Sequence, residues 1–210
     1  MLKIRWYGHS CFSISNSKTI VFDPHDGASI GIPPPRVRAD VILITHEHFD
    51  HNQARMVEKE GSIVLRKGGK VDDIEIESFI SYHDKEKGRK RGEVTVFKVN
   101  YEGITFCHLG DIGEVDEELI NAIGNVDILF IPIGGTFTIN SKEALEICKK
   151  IKPKVVVPMH YKIEGLSLPI DRIEKFLDLV DDMEKVYVAN EVEITKEDLP
   201  ENTEAWIFSL

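Results

Sequence analysis

The chain has 210 residues, of which 26 are Lys or Arg and 36 are Asp or Glu, so its formal net charge is −10 at pH 7. This acidic balance argues against a protein that binds nucleic acid over a broad basic face, because phosphate contacts require clustered positive charge. Hydrophobic residues make up 42% and charged residues 30% of the chain, which excludes intrinsic disorder and predicts one domain over residues 1–210.

Neither a membrane segment nor a disulfide framework is predicted. The sequence has no apolar run of membrane-spanning length, and its first residues lack the pattern of a secretory signal. The three cysteines, Cys11, Cys107 and Cys148, occur singly and so indicate neither a disulfide framework nor a CxxC metal site. We therefore expect a cytoplasmic protein without a membrane partner.

The beginning of the chain is predicted to be rich in β-strands. Alternating apolar and β-branched residues indicate strands at 3–7, 11–15 and 19–22. The proline- and glycine-rich residues 24–39 predict a long loop. The apolar run 41–45 predicts a buried strand and the pattern of residues 52–60 predicts a helix, so the residues between them lie on a strand-to-helix turn.

The remainder of the chain alternates between strands and helices. Strands are predicted at 63–66, 74–80, 94–99, 104–109, 127–131, 155–158 and 186–189, and helices at 116–123, 140–151 and 169–182. The basic residues 84–93 and the acidic residues 190–204 are interpreted as solvated loops. A strand-rich first half followed by this alternation favours an α/β fold of two sheets with helices outside over one doubly wound parallel sheet.

The densest group of chemically active side chains is Thr45-His46-Glu47-His48-Phe49-Asp50-His51. His46, His48 and Asp50 are spaced two residues apart, so in extended backbone their side chains leave the same side of the chain. Two imidazoles on one side can share one metal ion, whereas Asp50 and His51, at the turn, address a second position. The segment therefore predicts a centre for two metal ions, and the alternative is a solvated polar turn.

This segment, together with landmarks elsewhere in the chain, resembles the metallo-β-lactamase superfamily of metal-dependent hydrolases. The resemblance covers residues 1 to about 165 and is to the small single-domain branch that contains the L-ascorbate-6-phosphate lactonases. The further landmarks are Tyr7-Gly8-His9-Ser10-Cys11-Phe12, Asp23-Pro24, Leu109-Gly110-Asp111, Ile131-Pro132-Ile133-Gly134-Gly135 and Val157-Pro158-Met159-His160-Tyr161. The resemblance implies an αββα sandwich, in which two mixed sheets pack face to face with helices outside.

The resemblance also implies a set of ligands. The first metal ion would bind His46, His48 and His83, the second Asp50, His51 and His160, and Asp111 would bridge the two ions. His83 could instead be an ordinary surface residue, and Asp111 could instead cap a turn. The implied ions are two divalent cations, with Zn²⁺ as the first expectation and Mn²⁺ as the alternative.

Four other residues are candidates for supporting the site or binding substrate. Asp23 would hold a ligand histidine from behind, or would only cap the turn that follows it. His9 would lie near the metal ions, or would have a structural role. The amides of Gly135 and Thr136 could bind an oxyanion, or the glycines could simply allow the chain to reverse.

The implied ligand set predicts hydrolysis. A water molecule held by such ions loses a proton at a pH of about 7 instead of about 15.7, so a metal-bridging hydroxide, oriented by Asp50 as the catalytic residue, would be the nucleophile. We expect cleavage of a small ester, lactone or phosphodiester, and the basic loop predicts an anionic substrate. The alternatives are a nucleic-acid phosphodiesterase and a non-catalytic, metal-stabilised binding protein. A homo-oligomer is compatible with the sequence.

Overall fold

The computed structural model describes all 210 residues and contains fourteen β-strands in two sheets. In chain order the strands are β1 (Leu2–Trp6), β2 (Phe12–Ser15), β3 (Thr19–Phe22), β4 (Val41–Leu43), β5 (Ile63–Leu65), β6 (Gly69–Val71), β7 (Ile74–Tyr82), β8 (Glu93–Tyr101), β9 (Ile104–His108), β10 (Ile128–Pro132), β11 (Val155–Met159), β12 (Glu184–Val188), β13 (Glu191–Ile194) and β14 (Glu204–Phe208). The helices are α1 (Glu117–Ile123), α2 (Ser141–Ile151) and α3 (Glu174–Leu177).

Both sheets mix parallel and antiparallel pairs. The first sheet has the order β13-β1-β2-β3-β4-β5, in which β3, β4 and β5 are parallel and the other pairs antiparallel. The second has the order β12-β14-β11-β10-β9-β8-β7-β6, with its parallel pairs between β12 and β9. The predicted fold of two mixed sheets is confirmed.

The sheets pack face to face around one large apolar core. Successive side chains of a strand point to opposite faces, and in β3 Ile20 and Phe22 enter this core while Val21 points the other way. The ring of Phe130 in the second sheet lies 4.5 Å from the ring of Phe12 and 6.0 Å from that of Phe22, measured between centroids. These aromatic contacts join the inner faces of the two sheets.

The layers outside the two sheets differ. Helices α1 and α2 contact the second sheet, and α3 contacts α2. The outer face of the first sheet is covered instead by a single 3₁₀ turn, Ala54–Met56, whose side chains pack near Val21 and Ile42. The helix predicted over residues 52–60 is therefore wrong. Its backbone is diverted to the preceding loop, since the amide of Gln53 donates to Pro24 and Val57 accepts from Ala39.

Two other predictions at the C-terminal end are corrected. The helix predicted over residues 169–182 is reduced to the one turn of α3, because the carbonyl of Asp171 accepts from the amide of Lys162 instead of from the next helical turn. The acidic residues 190–204, interpreted as a loop, contribute β13, which pairs with β1 and places Glu191 within 3.3 Å of Lys3. No helix of the structure has the length and apolar character needed to cross a membrane.

Strand direction determines where the chemistry lies. In the first sheet β1, β3 and β4 run the same way, and in the second β7, β9 and β11 do. The segments that follow these six strands meet at one end of the sandwich. Loops at the carboxyl ends of strands on a rigid scaffold are common positions for binding and catalytic residues.

Candidate metal centre

Every candidate ligand follows one of those six strands. His9 follows β1, Asp23 follows β3, residues 45–51 follow β4, His83 follows β7, Asp111 follows β9 and His160 follows β11. Of the histidine and aspartate candidates in these segments, only His48 is exposed, and all the others are buried although their side chains are ionisable. The two sheets thus bring together residues that are far apart in the sequence.

Three of these residues have a left-handed backbone conformation, which is uncommon outside glycine. The φ angles of His9, Asp23 and His160 are 54°, 43° and 53°. The residue that packs against the backbone of His160 must be a glycine. A Cβ atom at position 134 would lie only 2.1 Å from the carbonyl oxygen of His160. Such positions carry strain of order about 1 kcal/mol or more, which the surrounding structure must offset.

The first group of side chains consists of His46, His48 and His83, and we call it the exposed half because His48 is exposed. The centroids of the three imidazole rings lie 4.7, 4.8 and 4.9 Å apart. One nitrogen from each ring falls within 4.8 Å of the others, which is close enough for one ion to be bound by all three.

The second group consists of His9, Asp50, His51 and His160, and we call it the buried half. One ligand atom from each residue again lies within 4.8 Å of the others. Nε2 of His9 is 2.9 Å from Oδ2 of Asp50, so His9 holds the carboxylate of Asp50 from the side of β1. His9, a support candidate from the sequence, thus lies directly against the second set of ligands.

Asp111 lies between the two halves. Its Oδ2 atom is 3.1 Å from Nε2 of His160 and 3.2 Å from that of His51 in the buried half. The same atom is 3.3 Å from Nε2 of His83 and 3.7 Å from that of His46 in the exposed half. A carboxylate in this position can bridge two ions.

A hydrogen-bond network behind the ligands fixes two imidazole rings. Oδ2 of Asp23 lies 2.9 Å from Nδ1 of His51 and accepts the hydroxyl hydrogen of Thr45 at 2.7 Å. The Thr45 oxygen is in turn 2.9 Å from Nδ1 of His46, so it accepts from that ring. Both rings are therefore bonded through Nδ1 and direct Nε2 at the centre, as metal-binding histidines require.

The charges of the centre favour a cation. Burial acts against ionisation of Asp111, yet His160 and His51 hold its pKa well below the usual value. Burial also opposes charge on His51, but Asp111, Asp50 and Asp23 raise its pKa well above the usual value, so this ring carries a proton whose positive charge a bound ion would replace. Burial lowers the pKa of His46 to about 3, so that ring is neutral. Ionised carboxylates and neutral imidazoles are the forms that bind a divalent ion.

The unpaired atoms of the centre fit a divalent metal. Buried polar atoms without hydrogen-bond partners are rare in folded proteins and require an explanation. Several such atoms converge here, and they are Nε2 of His46, Nε2 of His51, both ring nitrogens of His83 and Oδ1 of Asp111. Nitrogen and carboxylate oxygen are suitable ligands for Zn²⁺, so the residues present fit the metal that the sequence resemblance implies.

The centre opens into a cavity of about 220 Å³. Besides ligand candidates, its walls contain two phenylalanines, one leucine and one arginine, namely Phe49, Phe137, Leu168 and Arg91. Sequence reasoning included Arg91 only as one of several basic residues and missed Phe137 and Leu168 altogether. Their signal is weak, because single apolar residues in loops have no periodicity.

Several histidine and glycine candidates lie outside this cavity. The amides of Gly135 and Thr136 donate to Ile139 and Gly134, and the Thr136 hydroxyl donates to Pro169, so none of these donors is free for an oxyanion. His25, which the sequence places in the proline-rich loop as a residue that could contact substrate, is buried with its Nε2 atom 3.0 Å from the carbonyl oxygen of Tyr7. His108, which the sequence did not predict as a ligand, is also buried, with Nε2 2.9 Å from the carbonyl oxygen of Ser10.

Several known proteins are similar to this chain in sequence and fold. The family described as beta-lactamase superfamily domain matches residues 3–160. A UPF0173 metal-dependent hydrolase of Thermoplasma acidophilum is 32% identical over 76% of this chain and 83% of its own, and one of Pyrococcus abyssi is 31% identical over 90% and 96%. The crystal structure of a Thermotoga maritima protein described as a Zn-dependent hydrolase of the metallo-β-lactamase superfamily is 33% identical, covers 99% of this chain and 98% of its own, and has a TM-score of 0.81.

Proposed function

This chain belongs to the β-lactamase superfamily of metal-dependent hydrolases, and we propose that it binds two divalent ions, with zinc as the expected metal, and hydrolyses a small anionic ester, lactone or phosphodiester. The observation that carries this proposal is the position of Asp111, whose Oδ2 atom is within 3.7 Å of imidazole nitrogens from both halves of the centre. Only a centre for two ions uses both groups of imidazoles together with a carboxylate between them.

Each of the two proposed ions would have its own set of three ligands and would share a fourth. His46, His48 and His83 would hold one ion, and Asp50, His51 and His160 the other, with Asp111 shared. Two ions bound in this way would supply an activated water molecule as nucleophile and would polarise the bond that it attacks.

The chain itself supplies orientation and exclusion of water. Asp50 lines the cavity and lies 2.9 Å from Nε2 of His9, so its carboxylate is positioned to orient the attacking water. The burial of Asp111 and His160, each no more than 2% exposed, keeps bulk water from the inner side of the centre. Electrostatic interactions are stronger in such a shielded position.

Metal content and hydrolysis, measured on the same preparations, test the proposal. We expect about two metal ions per chain by mass spectrometry and turnover of one member of a panel containing a lactone, a phosphodiester, a phosphomonoester and a β-lactam. Asp50→Ala should abolish that turnover. Asp198→Asn, which alters a carboxylate bonded only to Thr195 on the surface, should match the wild type. Preparations that bind no metal while remaining folded would contradict the proposal.

A further inference from the structure

The basic loop between β7 and β8 presents one of its five cations to the cavity. Lys85 forms an ion pair with Glu143, and Lys90 forms one with Glu86. Lys87 and Arg89 are exposed and do not line the cavity. Arg91 is half-buried, lines the cavity beside His48 and His83, and forms no ion pair with any carboxylate of the chain.

The backbone at Arg91 is fixed by a single side chain. The carboxylate of Asp84 accepts hydrogen bonds from the amides of Glu86, Gly88, Lys90 and Arg91 at 2.8, 3.1, 3.0 and 2.8 Å. Four bonds to one buried carboxylate close the loop around Asp84 and define the point from which the Arg91 side chain leaves. Side chains held on such a preorganised backbone lose less entropy when they bind a ligand.

The guanidinium of Arg91 is held in place but its donors are free. Its central carbon lies 4.6 Å from the centroid of the Phe137 ring, within the range of a cation–π contact. That contact uses the charge of the guanidinium and occupies none of its five N–H donors with an acceptor. A half-buried guanidinium whose donors are free is suited to binding an oxyanion with two parallel hydrogen bonds.

We propose that Arg91 forms an anion subsite beside the metal centre, and this proposal rests on the proposed hydrolase function. The subsite binds a carboxylate or phosphate group of the substrate away from the bond that is cleaved. Phe49, Phe137 and Leu168 then contact the apolar part of the same molecule. The cavity volume of about 220 Å³ is below the range of about 300–1,000 Å³ that accepts drug-sized ligands, so the substrate is small.

Binding of simple anions by the metal-containing protein tests this subsite. The probes are phenylacetate and benzylphosphonate, with phenylacetamide as the neutral compound of similar shape, and the measurement is the dissociation constant by isothermal titration calorimetry. Arg91→Gln should weaken binding of the anion that the subsite accepts by about tenfold, as expected for loss of a charge-assisted hydrogen bond. Phenylacetamide should be unaffected.

Arg89→Gln is the matched control, because it removes the same charge from the same loop but outside the cavity. A loss confined to Arg91→Gln supports the subsite, and the probe that shows the loss tells whether carboxylate or phosphate is preferred. Equal affinities in wild type and Arg91→Gln would overturn it. Equal losses in both variants, or no binding of either anion to the wild type, would overturn it as well.

The two proposals fail in distinguishable ways. Metal content and panel hydrolysis of the wild type decide the hydrolase function independently of the calorimetry. A wild type that binds metal and turns over a substrate, with Arg91→Gln indistinguishable from it in anion affinity, removes only the subsite. A wild type without metal or turnover removes the hydrolase function, whatever the anion affinities are.

Discussion

The two halves of the centre are built differently, although both consist mainly of imidazoles. In the buried half all four side chains are buried, and His9 and His51 each have a ring nitrogen 2.9 Å from a carboxylate oxygen, of Asp50 and Asp23 respectively. In the exposed half only His46 has a hydrogen-bond partner behind it, the hydroxyl of Thr45.

This difference implies that the ligand atoms of the buried half are preorganised, whereas those of the exposed half are ordered when the ion binds. Rings that are hydrogen-bonded and fully packed hold their ligand atoms in place before an ion arrives, whereas an exposed ring must be ordered by the ion itself. We therefore expect the buried half to bind its ion more tightly and the exposed half to lose its ion first.

Replacement of the shared carboxylate should have the largest effect, because it removes the feature that joins the halves. Asp111→Asn keeps the size of the side chain but removes the charge between the two groups of imidazoles. Metal affinity should fall by more than about a hundredfold in both halves, beyond the range of about 10–100-fold typical of residues behind the ligands. Metal content after dialysis, together with panel hydrolysis, measures the loss. A variant that retains two ions would show that Asp111 does not bridge.

Removal of one ligand from either half is expected to have the second-largest effect, and the effect should differ between the halves. His48→Ala should reduce the metal content from about two ions to about one and leave the buried half loaded. His160→Ala should also lose one ion, but it additionally opens a void against His9, whose ring centroid is 4.3 Å away.

Thermal unfolding after treatment with a chelator distinguishes these two variants. Since His48 is exposed, His48→Ala without metal should unfold at the same temperature as the wild type without metal. His160→Ala should unfold at a lower temperature. Equal unfolding temperatures for the two variants would contradict the distinction between an exposed and a buried half.

A smaller loss is expected when the network behind both halves is broken. Asp23→Asn removes the charge that holds Nδ1 of His51 and, through Thr45, positions His46. Metal affinity should fall by about 10–100-fold while all ligands remain. Competition with a fluorescent chelator provides the measurement. An unchanged metal affinity would show that Asp23 only caps the turn that follows it.

The sequence predicted the local part of this centre well and the distant part only through resemblance. His46 and His48 are two residues apart, so their approach follows from local backbone geometry, whereas Asp50 lies in the turn at 49–51 and joins the buried half. His83, Asp111 and His160 belong to three different strands of the second sheet, and no local pattern indicates which strand ends will meet those of the first.

The errors in the fold have the same physical origin. Residues 52–60 have a helical pattern, but the amide of Gln53 donates to Pro24, a loop residue that only the folded sheet brings near. Strand β13 was missed because its sequence is acidic, and it forms by backbone pairing with β1, where Lys3 and Arg5 lie beside Glu191. Arg91 could not be separated from its basic neighbours, since the turn around Asp84 decides which cation faces the cavity.

The smallest effect we predict is confined to one half and so gives the sharpest test of the comparison. Thr45→Val removes the hydroxyl that accepts from His46, while the bond between Asp23 and His51 remains, and valine keeps the shape of threonine. Affinity for the ion of the exposed half should fall by about tenfold, at the lower end of the range for residues behind ligands. Affinity for the ion of the buried half should not change. Stepwise metal titration separates the two ions, and a loss shared equally between them would mean that Asp23 and Thr45 support the halves as one unit.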